Sequence, residues 1–191
     1  MKEYVLLFIS TVLVNNYVLT RFLGLCIFFG VSKNLSASVG MGMAVTSVMT
    51  LSTILAWLVY NLILLPLNLV FLKTIVFVLL IASFVQLLEL TIRKFAPTLY
   101  GMWGIYLLLI ATNCVVLGVP IMTSENNYGL SMSIVAAIGS GLGFALAIIL
   151  MASLREKLAY ANVPKPLQGM GIAFILAGML ALSFLGFSGM I

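Results

Sequence analysis

The sequence predicts an all-α membrane protein of six transmembrane helices, laid out as two inverted three-helix repeats with the first helix of each half broken. Three observations lead there. First, 64% of the 191 residues are apolar and 7% are charged, against about 45–50% and about 25% in a typical soluble domain. Such a chain cannot hide its apolar surface from water and belongs in a lipid bilayer. Second, the apolar residues fall into six runs, each near the roughly 20 residues that a spanning helix needs. Third, a short polar stretch in the first run has a counterpart 97 residues later, in the fourth.

The runs cover residues 4–30, 37–60, 69–94, 100–122, 129–153 and 168–190. The first follows Met1-Lys2-Glu3 without a small-residue cleavage site, so it is expected to be retained. Lys33 and Asn34 close it. Asn61, Pro66 and Asn68 mark the second turn, and Arg93, Lys94 and Pro97 the third. Glu125-Asn126-Asn127 marks the fourth, and Arg155 to Pro166, with Pro164, forms the longest polar link. Backbone amides in lipid must be paired within the protein, so each run is a helix or a broken helix packed in protein. One integral membrane domain then fills 1–191, with halves of roughly 1–97 and 98–191. Three spans is an odd number, so the halves enter the membrane in opposite directions.

Charge gives the orientation. The net charge of +5 would suggest nucleic acid in a soluble protein, but here it records topology and no nucleic-acid partner is expected. Loops one, three and five carry Lys33, Arg93, Lys94, Arg155, Lys157 and Lys165; the other side carries Lys2 and Lys73. Arg21 falls inside the first run. The excess of basic residues places the odd loops in the cytoplasm and both termini outside.

The recurring stretch is Val14-Asn15-Asn16-Tyr17-Val18-Leu19 against Ala111-Thr112-Asn113-Cys114-Val115-Val116. Both lie mid-span and first in their half, where inverted-repeat proteins place discontinuous helices. The two cysteines of the chain, Cys26 and Cys114, lie in these same runs. In straight helices Cys26 would sit about 33 Å below Tyr4, at the cytoplasmic edge, and Cys114 about 20 Å above Gly101. A break near Gly24, with residues 26–33 extended, brings Cys26 toward the midplane, and a break around Gly118 and Pro120 shifts Cys114. Two soft sulfur ligands then read as half of a metal site. A buried free cysteine is also a common small hydrophobe, and a disulfide between the two is an alternative. Iron–sulfur clusters usually take four thiolates, so a partner chain supplies two or there is no cluster.

The remaining polar residues have readings of both kinds. Arg21 is costly in a membrane unless paired, wet or snorkelling, here toward the cytoplasmic interface; near a thiolate cluster it would offset negative charge. Asn15, Asn16 and Asn113 suit either freed backbone groups at a break or ordinary interhelical bonds. Gly139-Ser140-Gly141-Leu142-Gly143 looks like a phosphate loop but lacks a strand before it and a lysine after it. Close helix packing explains it and Gly40-Met41-Gly42 better. With no histidine, the chain holds no hydrolase constellation and is not expected to be catalytic alone.

Several motifs carry a resemblance. Leu13-Val14-Asn15-Asn16-Tyr17-Val18-Leu19, Phe22-Leu23-Gly24-Leu25-Cys26 and Gly30-Val31-Ser32-Lys33 resemble the A subunits of the Rnf electron-transport complex, called Rsx in some bacteria. So do Thr112-Asn113-Cys114-Val115-Val116-Leu117-Gly118, Arg155-Glu156-Lys157-Leu158 and Phe184-Leu185-Gly186-Phe187-Ser188-Gly189, so that the likeness covers essentially the whole chain. The E subunit of the sodium-translocating NADH:quinone reductase is a sister family and an alternative. Asn15-Asn16 and Pro66-Leu67-Asn68-Leu69 look closer to Rnf. Ile27 departs from a proline of some relatives and Ala111 from a second threonine, neither at a sulfur ligand.

The resemblance implies an ion-translocating ferredoxin:NAD⁺ oxidoreductase of the bacterial inner membrane, with both termini periplasmic. It implies that Cys26 and Cys114 bind iron at mid-membrane, supported by Gly24, Leu25, Asn113 and Arg21. Two cysteines of the homologous E subunit would complete a 2Fe–2S cluster. Electrons would cross the membrane through it, coupled to Na⁺ or H⁺ transport, with other Rnf subunits as partners. A small transporter or channel with structural cysteines is the other alternative, since broken helices in inverted repeats serve transport too.

Overall fold

The structure, a computed structural model, describes residues 2–67, 70–95, 109–110, 112–160, 164 and 167–187. Every regular element among them is helical. Helix α1 (Lys2–Ile9) runs on through a π-helical turn (Ser10–Val14) and stops. After an irregular stretch, α2 (Leu25–Val31) begins. Helix α3 (Leu35–Val59) also ends in a π-helical turn (Tyr60–Leu64). A 3₁₀ turn (Val70–Leu72) leads into α4 (Lys73–Phe95), followed by α5 (Cys114–Glu125), α6 (Leu130–Ala159) and α7 (Met170–Leu185). Among the described residues, Leu35–Leu64, Val70–Thr91 and Leu130–Ala159 are long and apolar enough to cross a membrane, and α5 and α7 are shorter apolar helices. The start of the fourth run, with Gly101, Ala111, Pro97 and the junction between the halves, lies outside the described residues. So do Asn68, Lys165, Pro166, Ser188 and Gly189.

The centre of the molecule is the long crossing of α3 and α6. Small residues make it close. A Cβ on Gly42 would stand 2.7 Å from Ala145 Cβ, and one on Gly141 2.6 Å from Thr46 Cγ2. Gly139 and Gly143, one helical turn apart, face α1 and its π-helical turn: Gly139 meets Thr11 and Phe8, and Gly143 meets the carbonyls of Thr11 and Val12. The glycine run is therefore a two-sided packing surface. Without a hydrophobic force between helices in lipid, such close backbone approach is what holds them together.

Several hydroxyl side chains within the helices return their hydrogen bonds to the preceding turn. Thr46 Oγ1 donates to Gly42 O at 2.7 Å, Thr53 Oγ1 to Met49 O at 2.8 Å and Ser140 Oγ to Ala136 O at 2.7 Å. This satisfies them locally where no water is at hand. The outer surface is apolar, with Leu62, Phe71, Leu79, Leu87 and Leu182 exposed, as suits a lipid-facing shell.

Two polar clamps mark opposite ends of the bundle. At one, Arg155 Nη1 donates to Phe29 O at 3.0 Å and Ser32 Oγ at 2.9 Å, tying the loop after α2 to the end of α6. At the other, Lys73 Nζ meets Glu125 Oε1 at 3.5 Å, and Trp57 Nε1 donates to Tyr128 O at 3.1 Å. Loops one and five thus share an end, and loops two and four share the other.

Candidate functional site

Helix α1 and its π turn hold 8 and 5 residues, so at 1.5 Å per residue they reach about 20 Å from Lys2. The chain therefore breaks well short of the roughly 30 Å that a full span needs. Asn16, fully buried, holds the break together. Its Oδ1 accepts from the N–H of Val18 at 3.0 Å and Leu19 at 3.4 Å, and its Nδ2 donates to Gly143 O at 2.8 Å. One side chain thus serves freed amides and anchors the break to α6. Both readings of this asparagine, local and interhelical, apply at once. Asn15, by contrast, is exposed and donates to Ser10 Oγ at 3.1 Å.

The break ends at Gly24, with φ +76°, a left-handed conformation that glycine adopts without steric cost. Cys26 follows in the first turn of α2, beside half-buried Leu25. The second break differs in place from the sequence expectation. Gly118 and Pro120 lie inside α5, and the helix starts instead at Cys114, with Asn113 extended before it at φ −75°, ψ 117°. Asn113 Oδ1 caps α5 by accepting from Val115 N–H at 3.1 Å, which satisfies one of the four orphan N–H groups of a helix start. The extended path expected for residues 26–33 is also corrected: Leu25–Val31 is helical. Ile27 and Phe28 are fully buried, and the guanidinium of Arg155 closes the far end on Phe29 O.

The two breaks touch. A Cβ on Gly24 would lie 2.7 Å from Val115 Cγ2 and 2.9 Å from Asn113 Oδ1. Gly24 stands two residues before Cys26, and Asn113 and Val115 flank Cys114. Both thiols are free and exposed. An apolar recess of about 310 Å³ beside Cys26 is lined by Leu25, Phe29, Gly30, Lys33, Met170 and Phe174. Soft sulfur suits iron, and two thiols are half of the usual cluster set. Among the described residues no three His, Cys, Asp or Glu come together, so a full ligand set would draw on donors outside this chain. The amide of Asn113 adds one more observation: its Nδ2 is buried with no hydrogen-bond partner among the described residues.

Arg21, in the first break, turns the other way. Its Nη1 lies 2.9 Å from Met122 Sδ and its guanidinium 5.8 Å from the Tyr17 ring centre. Met122 is eight residues beyond Cys114, about 12 Å along α5, toward the Lys73–Glu125 end. The side chain therefore does not snorkel toward the Lys33 end, because Tyr17 and Met122 hold it. Sequence reasoning missed Arg155 as the clamp on the Cys26 helix; its partners are 126 and 123 residues away, and no local signal points to them.

A family model described as "Rnf-Nqr subunit, membrane protein" matches residues 4–191. The chain belongs to the Rnf-Nqr family of membrane subunits, as an A subunit of the Rnf kind. It is 76% identical to the A subunit of the proton-translocating ferredoxin:NAD(+) oxidoreductase complex of Clostridium ljungdahlii, over 100% of this chain and 99% of that one. It is 51% identical to the A subunit of the ion-translocating oxidoreductase complex of Erwinia tasmaniensis and 50% to that of Yersinia pseudotuberculosis, each with the same coverage. In this Rnf-Nqr subunit, two broken helices meet at a joint that leaves both thiols exposed.

Proposed function

We propose that this Rnf subunit relays electrons across the membrane within an ion-translocating ferredoxin:NAD⁺ oxidoreductase complex, and that Cys26 and Cys114 supply two of the four thiolates of a 2Fe–2S cluster. Two cysteines of the homologous E subunit supply the rest. The observation that carries this reading is the contact of Gly24 with Asn113 and Val115, which joins two half-helix starts while leaving both thiols exposed. When bound, such a cluster supplies one-electron transfer. The chain's own residues hold the two sulfurs at a fixed joint: Gly24 permits the close approach, Asn16 and Asn113 satisfy the broken backbone, and Arg155 fixes the far end of α2. The apolar recess beside Cys26 offers the partner chain its seat.

The same reading includes six spans in two inverted halves, placed in the bacterial inner membrane with both termini periplasmic. It is supported by breaks at equivalent places, Asn16 and Asn113, and by long central helices that follow each break, α3 and α6. Coupling is to H⁺ or Na⁺, and the name of the Clostridium relative favours the proton.

The test is spectroscopic. The complex, purified with its partner subunits and reduced with dithionite, is examined by EPR and assayed for iron. The signal of the shared centre is expected to vanish in both Cys26→Ser and Cys114→Ser while the subunits still co-purify. Undiminished signal and iron in either variant would overturn the assignment of that cysteine.

A further inference from the structure

Arg21 is a cation at membrane depth whose described neighbours in this chain do not neutralise it. Its contacts are a thioether sulfur and an aromatic face, both weak partners for a guanidinium. The carboxylate nearest along the chain to Met122, that of Glu125, is engaged by Lys73. Yet Arg21 opens into a cavity of about 200 Å³ whose polar lining includes Ser10, Asn15, Thr123, Asn126 and Tyr128 and, among the described residues, no acid. Several of these groups are already committed: Thr123 donates to Pro120 O, and Asn15 to Ser10 Oγ. Arg21, Asn126 and Tyr128 remain with donors to offer. A cation beside uncommitted amide and hydroxyl donors, with no carboxylate among the described lining, favours an oxyanion over a metal cation.

Its depth narrows the choice. Met122 is three residues inside the end of α5, about 4.5 Å, and Leu7 to Thr11 lie about 7 to 14 Å along α1 from Lys2. The cavity thus opens at the border between the hydrocarbon core and the headgroup layer, several ångströms thick on each face, and reaches inward to Asn15. Long basic side chains reach up to phosphates there. We propose that the Arg21 cavity seats a phosphate oxyanion, with Asn126 and Tyr128 as further donors, at the face of the membrane that carries Glu125. The phosphate comes either from an anionic lipid headgroup or from free phosphate. This site is separate from the cysteine joint and stands without the cluster assignment.

The experiment uses the assembled complex, stripped of lipid in detergent and titrated with phosphatidylglycerol, phosphatidylcholine or inorganic phosphate. Lipid retention is read by native mass spectrometry, and protection by the thermal unfolding midpoint. The wild type is expected to keep one more phosphatidylglycerol than Arg21→Gln and to bind it about tenfold more tightly, the weight of one charge-assisted hydrogen bond. Arg21→Lys should fall between them. Protection by inorganic phosphate alone, lost in Arg21→Gln, would identify the free ion as the source. If Arg21→Gln does not assemble, the pair Asn126→Ala and Tyr128→Phe provides the reading, with retention reduced severalfold. Equal retention and equal protection in wild type and variants overturns the proposal. So does wild-type retention by Asn126→Ala and Tyr128→Phe when Arg21→Gln has lost a partner chain, which would mean that a neighbour's carboxylate fills the cavity.

Discussion

Three residues hold the joint together, and two of them admit a sharp substitution. Gly24→Ala forces a side chain into the left-handed region, at about 1–2 kcal/mol, and pushes its Cβ against Val115 and Asn113. The two half-helix starts must then separate. The expected outcome is a complex that assembles with less iron per copy and a lower thermal midpoint; wild-type iron content would show that the contact does not position the thiols. Asn113 plays a cap role that a hydroxyl can also fill. Asn113→Ala should therefore lose about 1 kcal/mol and Asn113→Ser little, measured by thermal or denaturant unfolding in detergent. Equal losses would mean that the buried Nδ2, which Ser also removes, matters more than the cap. Asn16 has no such substitute, because one side chain bonds Val18, Leu19 and Gly143 together.

At the scale of elements, the helices were legible in the sequence and the breaks only partly so. The apolar runs 37–60, 69–94 and 129–153 correspond to α3, α4 and α6, with Lys33–Asn34 and Glu125–Asn127 at their borders, since charge and hydropathy alone decide where chain meets lipid. That breaks exist was legible from the recurrence of Asn16 at Asn113. Where they fall was not. Pro120 drew the second break six residues too late, yet a single missing N–H in an otherwise packed helix leaves one carbonyl to find another partner. The cap signal of Asn113 was the better guide. The far end of Leu25–Val31 is bound by Arg155, far along the chain, a contact that no local pattern carries. The glycine run was read as a packing surface, and its two faces can be separated. Gly141→Val drives a branched side chain into Thr46; overpacking of this kind costs about 1–3 kcal/mol or more, so folded yield should fall sharply. Gly178→Val meets nothing within 4 Å among the described residues and should be tolerated when the protein is expressed without its partners. Equal yields for the two would refute the α3–α6 crossing as the centre of the fold.

For the whole molecule, the clamps at the two ends turn topology into a measurable quantity. Arg155 on Ser32 places loops one and five together, and Lys73 on Glu125 places loops two and four together. The proposed orientation puts the first end, with its basic excess near Lys33 and Arg155, in the cytoplasm. Single cysteines at Asn34, Lys157 and Asn127, in a background of Cys26→Ser and Cys114→Ser, probe this with a membrane-impermeant maleimide. Asn127→Cys should react in intact spheroplasts, and Asn34→Cys and Lys157→Cys only in inverted vesicles. The reverse pattern would keep the fold and invert the protein in the membrane. Labelling of Asn34→Cys and Lys157→Cys from opposite faces would break the fold itself, because one guanidinium cannot bind Ser32 from the far side of a bilayer. On the proposed orientation the Arg21 cavity faces the outer leaflet, and the cysteine joint lies deeper, where the proposed relay would carry an electron between the two faces.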